Sequence, residues 1–216
     1  MPQPISTADE AVLQRRRFLR SGALVAAAAG GAVAASASSV LPASAAPLPY
    51  SNALTIPVPA ERLLDTRSAA GLKAIVGSSG SALDSKNRLK AHAWIDVAVA
   101  TTDDESGLDL VAVIVNLKSL ASTKGGSLVV AEPQDEMPTG TTVTYRKDET
   151  TTNSAFVGLG IVGDTYVVRI WATSTSHVTL DLTGAEIVGQ FPTLDARTTR
   201  KAALQRVLKA VHAVQR

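Results

Sequence analysis

The chain has 216 residues, 45% of them hydrophobic, and a formal net charge of +2. It contains no cysteine, which excludes disulfide stapling and lipid attachment to a thiol. The net charge hides a division: residues 46–194 carry 11 basic and 16 acidic side chains, and residues 195–216 carry six and one. An acidic body with a basic tail argues against nucleic acid as the partner of the body.

The first predicted element is an export segment over residues 1–45. Arg15-Arg16-Arg17-Phe18-Leu19-Arg20 supplies a cationic start, and Gly22 to about Val40 supplies an apolar middle. Ala43-Ser44-Ala45 fits the small-residue cleavage pattern, so cutting is expected before Ala46. Arg15, Arg16, Phe18 and Leu19 resemble the twin-arginine motif of bacterial signals. The middle is mostly Ala, Gly and Ser, with Leu24, Val25 and Val33 as its larger side chains before Val40. A membrane anchor needs about 20 strongly apolar residues, and a run broken by Gly30-Gly31 is a poor one. The resemblance implies passage through the twin-arginine translocase and an extracellular or wall-associated mature protein without a stable membrane span. That route carries folded proteins, with or without cofactors, and no cofactor is expected here.

Removing the export segment leaves roughly 170 residues, enough for one domain with a full core. Residues 46–59 contain Pro47, Pro49, Pro57 and Pro59 and read as an extended lead-in. Arg62-Leu63-Leu64-Asp65-Thr66-Arg67 follows as a strand. Strict alternation puts Leu63, Asp65 and Arg67 on one face, where Asp65 and Arg67 pair. Gly71 to Leu89, with Gly77-Ser78-Ser79-Gly80-Ser81, reads as a long loop. It has neither the Gly-x-Ser-x-Gly register of a nucleophile elbow nor the Gly-Lys-Ser/Thr of a phosphate loop.

Strands are predicted at 93–100, 108–117, 127–131, 141–146, 154–159, 165–172 and 178–183, each rich in Val, Ile, Thr or aromatics. The second is nearly continuous apolar, as a strand buried on both faces would be. Gly125-Gly126, Pro138-Thr139-Gly140 and Gly163-Asp164 are turn signals between them. Short strands with no helices between them predict an all-β fold, a single jelly-roll-like β-sandwich over residues 60–191. The period then changes. Leu204, Val207, Leu208, Val211 and Val214 form one helical stripe, so residues 192–216 are predicted as a basic amphipathic helix, capped by Asp195 after Pro192.

Five segments together resemble a β-rich module of secreted actinobacterial proteins. They are Arg62-Leu-Leu-Asp-Thr-Arg67, Val111-Ala-Val-Ile-Val-Asn116-Leu, Gly126-Ser-Leu-Val-Val, Thr152-Asn-Ser-Ala-Phe-Val-Gly-Leu-Gly160 and Ser176-His-Val-Thr-Leu-Asp-Leu-Thr-Gly184. That module opens with a similar Arg-Leu-Leu-Asp-Thr-Arg and closes with a His-x-x-x-Asp-x-x-Gly strand. The resemblance implies an accessory module at the cell surface and structural roles for Arg62, Asp65, Arg67, His177, Asp181 and Gly184. This chain departs where Ala185-Glu186 replaces an aromatic pair and where Asn116-Leu117-Lys118 replaces Asn-Val-Thr.

The remaining candidates for chemistry are few. His92, His177 and His212 are too far apart in sequence for a metal-ligand motif, and no metal is expected. Asp103-Asp104-Glu105-Ser106-Gly107-Leu108-Asp109 lacks the register of a calcium loop and reads as a solvated acidic turn. Trp94 and Trp171 lie in strand runs and are expected in the core. The expectation is an exported, non-catalytic surface or wall module, structural or binding, with a wall polymer or surface protein as its partner. The competing expectation is a small secreted hydrolase with two carboxylates drawn from distant strands.

Overall fold

The computed structural model describes residues 52–102, 108–189 and 196–214. Arg15, Arg16, Phe18, Leu19, Ala43, Ala45, the start of the lead-in, the acidic turn at 103–107 and the cap Asp195 lie outside the described residues. In chain order the elements are β1 (Asn52–Asp65), α1 (Ala69–Leu72), β2 (Ile75–Ser78), β3 (Trp94–Thr101), β4 (Leu108–Leu120) and β5 (Gly126–Ala131). They continue with β6 (Val143–Tyr145), β7 (Thr151–Gly158), β8 (Gly160–Val162), β9 (Thr165–Ala172), β10 (His177–Gly189) and α2 (Ala196–Val214).

The strands form two antiparallel sheets. One has the order β1-β10-β4-β7, the other β2-β3-β9-β5-β6, with β8 paired to β9. The pairs β1·β10, β3·β9, β4·β7 and β5·β6 are nested along the chain and alternate between the sheets. A long antiparallel hairpin rolled around a core produces this nesting, which is the jelly-roll arrangement. β2 and β8 are additions to it. The β8–β9 hairpin closes through Gly163-Asp164, between the paired Val162 and Thr165, with Gly163 at a φ of 57° that a side chain would strain.

The period-two pattern decides which side chains fill the space between the sheets. Ile95, Val97 and Val99 of β3, Val113, Val115 and Leu117 of β4, Val168 and Ile170 of β9, and Leu180 and Leu182 of β10 join one buried cluster. Each aliphatic side chain of this kind contributes ~1.5–3 kcal/mol on burial. A core of this extent replaces the disulfides that the sequence lacks.

Besides α1 and β8, which form where no element was expected, three elements differ from the sequence expectation. β1 begins at Asn52, ahead of residue 60, so Pro57 and Pro59 fall inside a strand. An edge strand tolerates them, and its pairing with β10 jumps between Pro57 and Glu61. β4 is buried on one face only: Val113, Val115 and Leu117 point inward, while Ile114, Asn116 and Lys118 are half-buried on the outer face. The expected loop at 71–89 contains β2 and a bridge between Leu83 and Leu89. β2 is only four residues long, too short for a periodic signal to show.

The basic tail folds back onto the sandwich. α2 packs against β3 and β1. Ala203, Val207 and Val211 enter the main cluster, and Leu204 and Leu208 are half-buried beside it. The stripe is thus centred one position away from the large residues, on an alanine that lets the helix approach closely. Arg200, Lys201 and Lys209 stay exposed. His212 Nε2 lies 3.6 Å from Glu61 Oε1 on β1. Among the described residues no helix is long and apolar enough to cross a membrane.

Candidate functional site: a motif cluster and an open sheet face

A bulge builds the motif cluster. Arg62 pairs with Asp181 and Leu64 with Leu180, so β1 carries an extra residue between them. Leu63 and Leu64 are both buried as a result. Arg62 also shifts to the side of Asp65, which strict alternation had forbidden. The Arg62 guanidinium donates to Asp65 Oδ2 at 3.1 Å, and its Nε and Nη2 donate to the carboxylate of Asp181. Arg67 donates to Asp65 from Nε at 2.9 Å, Nη2 at 2.7 Å and its own amide at 3.0 Å. Hydrogen bonds from Arg67 hold the Asp65 pKa down at about 2, against the opposing effect of burial.

His177 meets the same cluster through Thr66. Thr66 is fully buried, accepts the amide of Val178 at 3.0 Å and shares a 3.0 Å hydrogen bond with His177 Nδ1. Burial, and then the positive charge of Arg88, push the His177 pKa down and favour the neutral ring. Arg88 arrives on the loop bridged by Leu89 to Ser176 and is paired with Asp84 at 2.7 Å. For Asp84, burial raises the pKa, but the amides of Arg88 and Lys86 and the Arg88 guanidinium outweigh it and lower the result. The structure therefore gathers Arg62, Asp65, Arg67 and Asp181, adds His177 through Thr66, and leaves Gly184 further along β10. A Cβ on Gly184 would stand 2.9 Å from Ile114 Cδ1, so the Ile114 side chain packs directly over this glycine.

Asp65 and Asp181 are a carboxylate pair from distant strands, as a glycosidase would use. One of the two must serve as a general acid and hold its proton near neutral pH. Asp65, at about 2, is ionised there, and Asp181 is held by the same guanidinium. Through Arg62 this pair clasps β1 to β10.

The motif also opens onto a surface that the sequence reading did not single out. On the outer face of the four-stranded sheet, Arg62, Asp181, Asn116 and Ser154 stand in register across β1, β10, β4 and β7. Ser154 Oγ donates to Asn116 Oδ1 at 2.5 Å. The next row brings Gly184 and Ile114 into register with Phe156. Phe156 is 60% exposed. With strands ~4.8 Å apart, the polar row runs for roughly 14 Å. Its signal in the sequence was the predicted strand at 154–159, in which Ser154 and Phe156 fall on one face.

The outer face of the six-stranded sheet is filled differently. Trp94 and Trp171 were expected in the core; Trp171 is buried and Trp94 half-buried, both beside Arg169 and outside the inter-sheet cluster. Ile95 and Ile170 take the inward positions, which turns both tryptophans outward. The Arg169 guanidinium sits 3.6 Å from the centroid of Trp94 and 5.9 Å from that of Trp171. It donates to Asp96 at 2.7 and 2.9 Å and to the carbonyl of Gln134 at 2.6 Å. Every guanidinium nitrogen is used, and Asp96 is only 4% exposed. This is a sealed structural unit, not an open site.

No protein-family model and no curated protein matches the sequence. Among solved structures, the carbohydrate-binding module CBM6cm-2 from Cellvibrio mixtus lichenase 5A, in complex with cellotriose, aligns at 13% identity and a TM-score of 0.29. The alignment covers 61% of this chain and 100% of that one. The C-terminal CBM6 of LamC from Zobellia galactanivorans aligns at 12% identity and a TM-score of 0.25, over 63% of this chain and 99% of that one.

Proposed function

We propose that this chain is an exported, non-catalytic β-sandwich module that binds at the cell surface or in the wall. It is delivered by the twin-arginine route and is akin to the Arg-Leu-Leu-Asp-Thr-Arg modules of secreted actinobacterial proteins. The observation that carries the reading is the contrast between a closed cluster and an open face. The motif charges Arg62, Asp65, Arg67 and Asp181 are spent on one another. The sheet surface next to them stays open, with Asn116 half-buried and Ser154 and Phe156 exposed. Residues that only clasp strands build a scaffold, and an open face on a rigid scaffold is suited to binding.

The test is co-sedimentation of the purified chain with deproteinated cell walls, alongside an assay for released reducing ends. Binding to the pellet without sugar release is the expected result. A chain that stays in the supernatant would overturn the binding reading, and release of reducing ends would overturn the non-catalytic one.

A further inference from the structure

Resting on that binding reading, we propose that the outer face of the four-stranded sheet is the ligand site and that it takes an extended, uncharged glycan. Sugar rings stack on Phe156, and their hydroxyl groups are held by Asn116 and Ser154. Four observations point there. First, Phe156 alone of the described aromatics is exposed; Tyr145, Tyr166 and Trp171 are buried and Trp94 is half-buried under Arg169. Folding gains little from a 60% exposed ring, whereas the apolar face of a pyranose gains a flat partner.

Second, the polar row offers both kinds of hydrogen-bonding group. Asn116 gives its Oδ1 to Ser154, while its two amide N–H groups have no partner among the described residues. Beside them lies the Ser154 oxygen, which is an acceptor. A ligand that donates and accepts at every position, as a polyol does, matches that mixture. Third, the row carries little free charge, because Arg62 is neutralised between Asp65 and Asp181. A polyanion would find Lys118 on this face, but the arginines beside it are already paired to carboxylates. Fourth, the row crosses all four strands, and Phe156 stands two residues from Ser154 on β7, so that row and ring share one face of the sheet. An open strip four strands wide suits a chain laid across it, not a small molecule that needs enclosure.

The test uses the full chain with deproteinated cell walls, untreated or oxidised with periodate, which destroys the vicinal diols of sugars. Phe156→Ala and Asn116→Ala are each expected to weaken wall binding by about tenfold or more. Phe156→Trp is expected to keep it, as is Val76→Ala, an exposed position on β2 of the other sheet. Periodate should remove binding by the unaltered chain, and high salt should not. Thermal melts confirm that each variant is folded, and Ser154→Ala takes the place of Asn116→Ala if the latter is not. Wild-type affinity in both Phe156→Ala and the row variant would overturn the site while leaving the module reading intact. Binding that survives periodate, or that disappears in high salt, would overturn the glycan class in favour of a protein or a polyanion. If the unaltered chain binds no wall at all, the module reading fails and this inference falls with it.

Discussion

Replacing Asp65 with Asn removes one charge on which two arginines converge. The carboxylate accepts Arg67 at 2.7 and 2.9 Å and Arg62 at 3.1 Å. Its pKa falls from 3.8 to about 2 in the folded chain. A displacement of that size corresponds to at most ~2.5 kcal/mol of folding stability. The partners Arg62 and Arg67 are 44% and 50% exposed, so solvent screening reduces the net value to ~1–2 kcal/mol. The sign follows from proton binding. The folded pKa is depressed, so the native state binds fewer protons than the unfolded one. The contribution is complete above about pH 4 and disappears as pH falls through about 2. Thermal or urea unfolding of the unaltered chain and of Asp65→Asn should therefore differ by ~1–2 kcal/mol at neutral pH. That is a few degrees in Tm for a domain of this size. The gap should close near pH 2. A gap of equal size at pH 2 and pH 7 would refute the charge argument and leave only lost packing. No gap at pH 7 would show that the clasp between β1 and β10 does not support the fold.

Truncation after Leu194 removes α2 and exposes the surface that Ala203, Val207 and Val211 cover; the truncated chain should melt lower and bind an apolar-surface dye, and an unchanged melt would show that the helix is not part of the folded unit. Arg169→Met leaves the 4% exposed Asp96 without its partner, which costs ~3–5 kcal/mol for a buried pair broken on one side; it should also change the Trp fluorescence, and a loss under about 1 kcal/mol in urea unfolding would mean that water reaches Asp96. Substituting both Arg15 and Arg16 with Lys should leave the uncut precursor inside the cell, because the export motif depends on the arginine pair; normal secretion of the double variant would contradict the twin-arginine assignment.

What the sequence made legible follows from the range of the forces involved. The predicted strands at 127–131 and 165–172 match β5 and β9 almost to the residue, because alternation is local and each segment carries its own period. The nested pairing that makes the fold a jelly roll joins β1 to β10 across most of the described chain, and no local pattern encodes which strands meet. The motif hexapeptide shows the boundary between the two. Its first four residues were readable as strand and the Asp65–Arg67 pair was expected, but Thr66 and Arg67 lie in the turn after β1, and the pair forms across that turn instead of along a strand face. The bulge that moves Arg62 onto the same carboxylate was not readable, because it is set by the register with Asp181, 119 residues away. The side of the sheet that Trp94 and Trp171 take was hidden for the same reason. An aromatic in a strand run looks like core until the partner that turns it outward is known, and Asp96 and Arg169 are 73 residues apart.

The tail shows how packing decides what amphipathicity leaves open. A helix with a Leu/Val stripe and a basic flank fits an anionic surface as well as its own domain. Two features of the sandwich favour docking on the domain. β1 is the edge of its sheet, and its outer side presents unpaired backbone groups that invite another strand. Next to it, β2 covers β3 only from Ile95 to Val97. A helix packed against both β1 and β3 shields that side of the sandwich. The helix face that makes the contact is small-sided, with Ala203, Val207 and Val211 in the cluster, so it seats closely and leaves Arg200, Lys201, Arg206 and Lys209 exposed. A larger apolar residue at position 203 would hold the helix off both strands. The cost of placing Leu there should therefore exceed the gain from its extra apolar surface.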